Sequence, residues 1–169
     1  MALADPATQP ELRRIRICLT IFMIGLALSG LTAFPLVHET ALLVAILGHF
    51  VPATPLFAWA NRVHLALVAT SIHSPFLAYG TDWLAFAHLA LTVLFIGPWR
   101  DPVRNRWVME FGLIACAGVI PLALIAGPIR GIPFFWSLGD CCFGVFGAIP
   151  LLIALKAVSR MERRVHAAI

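Results

Sequence analysis

The stretch IRICLTIFMIGLALSGLTAFPLV, residues 15–37, carries a single charge, Arg16, close to its beginning. About 20 consecutive apolar residues are needed for a helix to cross the roughly 30 Å hydrocarbon core of a bilayer. The stretch meets that length, and its apolar core exceeds the roughly 7–15 residues that are usual in a secretory signal peptide. It therefore predicts a retained membrane-spanning helix.

The composition of the whole chain supports the same class. Of its 169 residues, 61% are hydrophobic and 12% are charged, with a mean hydropathy of +0.94. Soluble domains carry about 25% charged residues, so this excess of apolar residues must face lipid. Three further apolar runs occur at about 82–99, 107–127 and 134–155. We predict an all-α membrane protein with four transmembrane helices, forming a single integral membrane domain over residues 1–169.

The basic residues predict how the four helices are oriented. They form three clusters, and four spans place all three clusters on one side of the membrane: Arg13, Arg14 and Arg16; Arg100, Arg104 and Arg106; Lys156, Arg160, Arg163 and Arg164. An excess of Lys and Arg marks cytoplasmic segments, so both termini are predicted to be cytoplasmic. The clusters also predict contact with anionic lipids at that face, and they give no reason to expect nucleic acid as a partner.

Residues 38–80 contain two shorter apolar pieces, which the sequence VPATP at 51–55 separates. Proline discourages a continuous helix there. In the second piece an apolar stripe has helical spacing, and three polar residues lie away from it. The stripe is Leu56, Trp59, Ala60, Val63 and Leu67, and the polar residues are Asn61, His64 and Ser71. We predict an amphipathic or re-entrant segment on the outer face; a six-span alternative fits the charge pattern equally.

Ionisable residues inside spans are costly in lipid and are candidates for function. His88 and Asp140 each lie six residues, about 9 Å, from the predicted outer end of their helices. We predict that they share a hydrogen bond, which would serve as a helix-joining contact, as a proton relay or substrate site, or as part of a metal or haem site. Glu110 follows Arg106 by four residues, so these two are predicted to form a local ion pair at the inner interface.

The candidate binding residues form a polar cluster that opens toward the outside: Asp82, His88, Asp140, Arg130, Tyr79 and His73. The candidates for a metal ligand are His64, His73 and His88. The glycines of GDCCFGVFG, residues 139–147, predict a close helix-packing face. No Walker, GxSxG or HExxH motif occurs in the sequence, so no catalytic residue is assigned and an enzyme is not favoured.

The stretches YGTDWLAFAH, GPWRDPVRNRWVMEFG and GPIRGIPFFW, with the following DCCFGVFGAIP, resemble a family of small uncharacterised bacterial inner-membrane proteins. The resemblance covers residues 76–151. It implies the bacterial inner membrane as the location, and it implies no activity.

Three functions remain open from the sequence. The first is proton-coupled binding, transport or sensing of a solute at the polar cluster. The second is a membrane redox protein that binds haem b or quinone through its outer histidines. The third is an accessory or assembly subunit, either a homo-oligomer or part of a larger membrane complex. No cofactor is predicted under the first and third, and haem b belongs to the second.

Overall fold

The computed structural model describes residues 8–167, with side chains up to residue 164. Every regular element in that range is helical. The seven α-helices in that range are α1 Gln9–Ala33, α2 Leu36–Phe50, α3 Pro55–His73, α4 Tyr79–Leu94, α5 Ile96–Arg100, α6 Arg106–Ile129 and α7 Phe134–Ala167. A short 3-10 helix, Pro75–Ala78, directly precedes α4.

Four of the helical segments are long and apolar enough to cross a membrane: Gln9–Ala33, Pro75–Arg100, Arg106–Ile129 and Phe134–Arg164. Their outward side chains are themselves apolar. Ile21, Leu122 and Phe143, for example, are 59%, 67% and 73% exposed. Large apolar side chains at this exposure require a lipid environment, so the chain is an all-α membrane protein, as the sequence predicted.

Several span boundaries differ from those predicted, among them the end of the last helix, where α7 continues to Ala167 beyond the predicted residue 155. The first span ends at Ala33, because a turn at Phe34 and Pro35 separates α1 from α2, whereas the prediction extended it to residue 37. The span predicted at 82–99 is a composite that begins with the 3-10 turn and breaks at Phe95. Pro98 explains the break, because it has no N–H to donate to the carbonyl four residues earlier.

The segment between the first two spans is a helical hairpin of α2 and α3. Thr54 closes its turn, since its hydroxyl accepts a hydrogen bond from the Phe57 N–H at 3.3 Å and caps α3. The two helices approach closely where Gly48 faces the Phe57 ring. In the predicted stripe, Ala60 is buried. His64 was predicted to lie away from the packed side, but its Nδ1 lies 3.0 Å from the Thr40 hydroxyl of α2.

The helices group into two compact units, of which the first comprises the chain up to Gly25 and from Thr92, and the second is Leu26–Leu91. In the first unit α6 packs along α7 through small residues. Gly144 lies directly against the Cys116 carbonyl, and Gly147 lies against the Cys116 sulfur. Gly139, which we predicted to share this packing face, has open space around it, so the face is narrower than the sequence suggested.

The second unit has its own close helix contact. Gly30 near the end of α1 is buried, and a methyl group there would meet the Ala85 carbonyl of α4 at 2.9 Å. Ala85 is fully buried in the same contact. Small residues therefore bring α1 and α4 together, as is usual where helices pack without a hydrophobic driving force.

Candidate functional site

One face of α4 combines a carboxylate with three aromatic rings. Asp82 and Trp83 follow Tyr79 by three and four residues, and Phe86 follows Trp83 by three. This spacing places the four side chains on the same side of the helix. Together they line a shallow hollow of about 240 Å³. The ring centroids of Tyr79 and Trp83 are 6.0 Å apart, and those of Trp83 and Phe86 are 5.9 Å apart, both edge to face.

This hollow can attract a cation. Tyr79, Trp83 and Phe86 keep 62%, 57% and 57% of their surface exposed, so all three side chains are accessible. The half-buried Asp82 has no hydrogen-bond or ion-pair partner among the described residues. Ring faces attract cations through the π-electron quadrupole, and an unpaired carboxylate adds a full negative charge. The structure thus joins two predicted residues, Tyr79 and Asp82, to two aromatic residues that the sequence analysis did not single out.

Two predicted histidines are tied to their own helices. His73 Nδ1 lies 2.9 Å from the Ala69 carbonyl, and His88 Nδ1 lies 2.8 Å from the Leu84 carbonyl. A carbonyl oxygen can only accept, so Nδ1 carries the proton in both rings. Nε2 is then the acceptor atom of each neutral ring.

The metal candidates are held by different partners. His64 bonds to Thr40, while His73 and His88 bond to backbone carbonyls. Within residues 8–164, no group of three or more His, Cys, Asp or Glu side chains is placed to hold a metal ion.

Asp140 and Arg130 belong to the first unit. Asp140 is half-buried on α7, six residues after the helix begins, and no described residue forms a hydrogen bond or an ion pair with it. One helical turn earlier, the hydroxyl of Ser137 is buried without a hydrogen-bond partner in the described part of the chain. Arg130 is exposed in the turn that ends α6. His88 lies in the other unit, so the predicted contact between His88 and Asp140 stays a prediction.

A second polar region lies where the basic clusters of the first unit meet, and we call this region the basic end: residues 8–16, 96–106 and 156–164. The predicted pair is present, with Arg106 Nε donating to Glu110 at 2.8 Å. Arg106 also donates to Glu162 of α7 at 2.7 Å. Arg160 donates two hydrogen bonds to Glu11, at 2.9 and 3.0 Å.

These interhelical pairs were missed from the sequence. Glu162 and Glu11 are single acidic residues inside basic stretches, RMERR and PELRR, and that pattern is the signal that could have found them. The pairs join α6 to α7 and α7 to α1, so they hold together the helix ends of this unit.

No protein-family model, curated protein or solved structure that was compared with the chain matches it.

Proposed function

We propose that the chain is a small multi-pass protein of the bacterial inner membrane that binds an ammonium-type cation at its outer face, for transport or sensing. The three basic clusters support an orientation with both termini in the cytoplasm. In that orientation α4 begins at the outer surface, so the hollow formed by Tyr79, Asp82, Trp83 and Phe86 faces the periplasmic side.

The observation that carries this proposal is the composition of that hollow. Its lining consists of one carboxylate and three aromatic side chains. Aromatic side chains attract quaternary ammonium groups, and each cation–π contact contributes about 0.5–1 kcal/mol when exposed and about 2 kcal/mol when water is excluded. The carboxylate of Asp82 supplies a negative charge opposite the cation. An uncharged ligand of the same shape would gain nothing from that charge.

Coupling to protons is the second part of the proposal. His88 and Asp140 are half-buried titratable groups in segments that can span the membrane. Titratable groups inside membrane spans commonly belong to proton relays. The predicted hydrogen bond between them would let the imidazole and the carboxylate share one proton.

The test is binding of tetramethylammonium to the purified protein in detergent, measured by isothermal titration calorimetry. Trp83→Leu and Asp82→Asn should each weaken binding about tenfold, equivalent to about 1.4 kcal/mol. Trp107→Leu is the matched control, since Trp107 of α6 is 59% exposed and Trp83 is 57% exposed. Equal weakening by the control, or no binding to the unaltered protein, would contradict the proposal.

Uptake of radiolabelled tetramethylammonium into proteoliposomes under an imposed pH gradient then separates transport from sensing. A transporter should accumulate the cation only when the gradient is present, and a sensor should bind it without uptake. A Soret band in the absorption spectrum of the purified protein would instead favour the redox function with haem b.

A further inference from the structure

A groove along the first turns of α1 lies at the basic end, separate from the α4 hollow. It has a volume of about 490 Å³, within the range of small-molecule sites, and is open to its surroundings. α1 contributes Arg13, Arg16, Ile17, Thr20 and Ile21 at helical spacing, and α5 contributes Trp99.

Trp99 holds Arg16 in the groove. The Arg16 guanidinium lies over the indole ring, 5.0 Å from its centroid, and Arg16 Nε donates to the Trp99 carbonyl at 3.4 Å. The indole is itself fixed, since its Nε1 donates to the Thr20 hydroxyl at 3.2 Å. Arg16 therefore loses little side-chain freedom when a ligand binds, which favours affinity.

No described residue neutralises the positive charge in the groove. Arg106 and Arg160 of the same unit are paired with glutamates, but Arg13 and Arg16 have no carboxylate partner among the described residues. The terminal nitrogens of Arg16 also have no hydrogen-bond partner there, because only its Nε is used. A planar guanidinium with unused donors matches the oxygens of a phosphate group.

Beyond the arginines the groove becomes apolar. Ile17 and Ile21 are 51% and 59% exposed, and the distance from Arg13 to Ile21 along the helix is about 12 Å. A free phosphate ion would use only the basic part. A phospholipid would use both parts, with its headgroup at the arginines and an acyl chain along the isoleucines, and tryptophan is frequent at this depth of the bilayer.

We propose that this groove binds one anionic phospholipid, with its phosphate on Arg13 and Arg16 and its acyl chain along Ile17 and Ile21. The test is native mass spectrometry of the detergent-solubilised protein with added phosphatidylglycerol, and with phosphatidylcholine as the zwitterionic comparison. The unaltered protein should retain one phosphatidylglycerol molecule at collision energies that remove phosphatidylcholine.

Arg16→Gln should lower the affinity for phosphatidylglycerol about tenfold or more, as expected for the loss of a charged hydrogen bond. Trp99→Leu should weaken lipid binding several-fold. This substitution leaves the charge of Arg16 in place but removes the ring that positions its guanidinium. Arg104→Gln is the matched control, an exposed arginine of the basic end that does not line the groove. Its lipid affinity should stay within about twofold of the unaltered protein, as is usual for a distant, independent site.

Three results would overturn the proposal. The first is an equal loss of lipid with Arg104→Gln, which would indicate general charge attraction. The second is equal retention of phosphatidylcholine and phosphatidylglycerol. The third is displacement of the lipid by inorganic phosphate at equal concentration, which would identify a simple anion site. A helical circular dichroism spectrum and a single elution peak identify the variants that have folded. If Arg16→Gln does not fold, Arg16→Lys provides a milder substitution at the same position.

Discussion

Replacing Gly144 by alanine should loosen the packing of α6 against α7. A methyl group built on Gly144 overlaps the Cys116 carbonyl oxygen and lies 3.4 Å from the Val119 Cβ. The obstacle is backbone, which cannot rotate away as a flexible side chain can. The helices would have to separate at this point.

Gly139 provides a matched control on the same helix. Nothing lies within 4 Å of a methyl group placed there, so Gly139→Ala adds no contact. Both substitutions gain the same helix propensity, about 1 kcal/mol for alanine over glycine. The difference between the two variants therefore isolates the steric cost, which is about 1–3 kcal/mol for overpacking in a close contact. Gly139→Ala should stabilise the protein by up to about 1 kcal/mol, and Gly144→Ala should lie about 1–3 kcal/mol below it.

The assay is reversible unfolding in mixed micelles with increasing dodecyl sulfate, followed by far-ultraviolet circular dichroism. Both variants and the unaltered protein are measured at the same lipid-to-detergent ratio. A Gly144→Ala protein as stable as Gly139→Ala would refute the close contact, and with it the packing of α6 and α7 described above.

The remaining predictions concern topology, the paired polar groups and the inner interface. Reporter fusions after Arg104 and at Gly80 should give opposite signals, since the first is predicted to be cytoplasmic and the second external; matching signals would contradict four spans. A double-mutant cycle with His88→Ala and Asp140→Asn, read as thermal stability in detergent, should show coupling above about 0.5 kcal/mol, whereas additive effects would argue against the predicted hydrogen bond. Glu110→Gln should lower the free energy of unfolding by less than about 1 kcal/mol, because the pair is solvent-exposed; abolished activity in the folded variant would show that this residue does more.

The sequence predicted the number of spans because a span is a property of one continuous segment. About 20 apolar residues suffice to identify it, whatever the rest of the chain does. The ends of the spans were harder to predict, because proline does not always end a helix. Pro121 and Pro150 lie inside α6 and α7, whereas Pro35 lies in the turn between α1 and α2 and Pro98 follows the break at Phe95. Hydropathy alone does not distinguish these cases.

The candidate polar sites were also predicted only in part. Arg106 and Glu110 are four residues apart on one helix, so their ion pair followed from spacing alone. Tyr79 and Asp82 were identified as polar residues at a helix end, but the hollow also needed the side-chain directions of Trp83 and Phe86. Those directions depend on the rotamers that the aromatic contacts select.

By itself, the sequence determined the class of the protein, its four apolar spans and the basic clusters at their ends. The tertiary structure decided which members of chemically identical groups have partners. Arg106 and Arg160 are neutralised by glutamates from other helices, whereas Arg16 instead lies against Trp99. The physical reason is that periodicity along one helix fixes a residue's neighbours on that helix only. Contacts between helices depend on the rotation and register with which two helices pack. Small residues such as Gly144 help to set that rotation and register, but only through contact with the second helix.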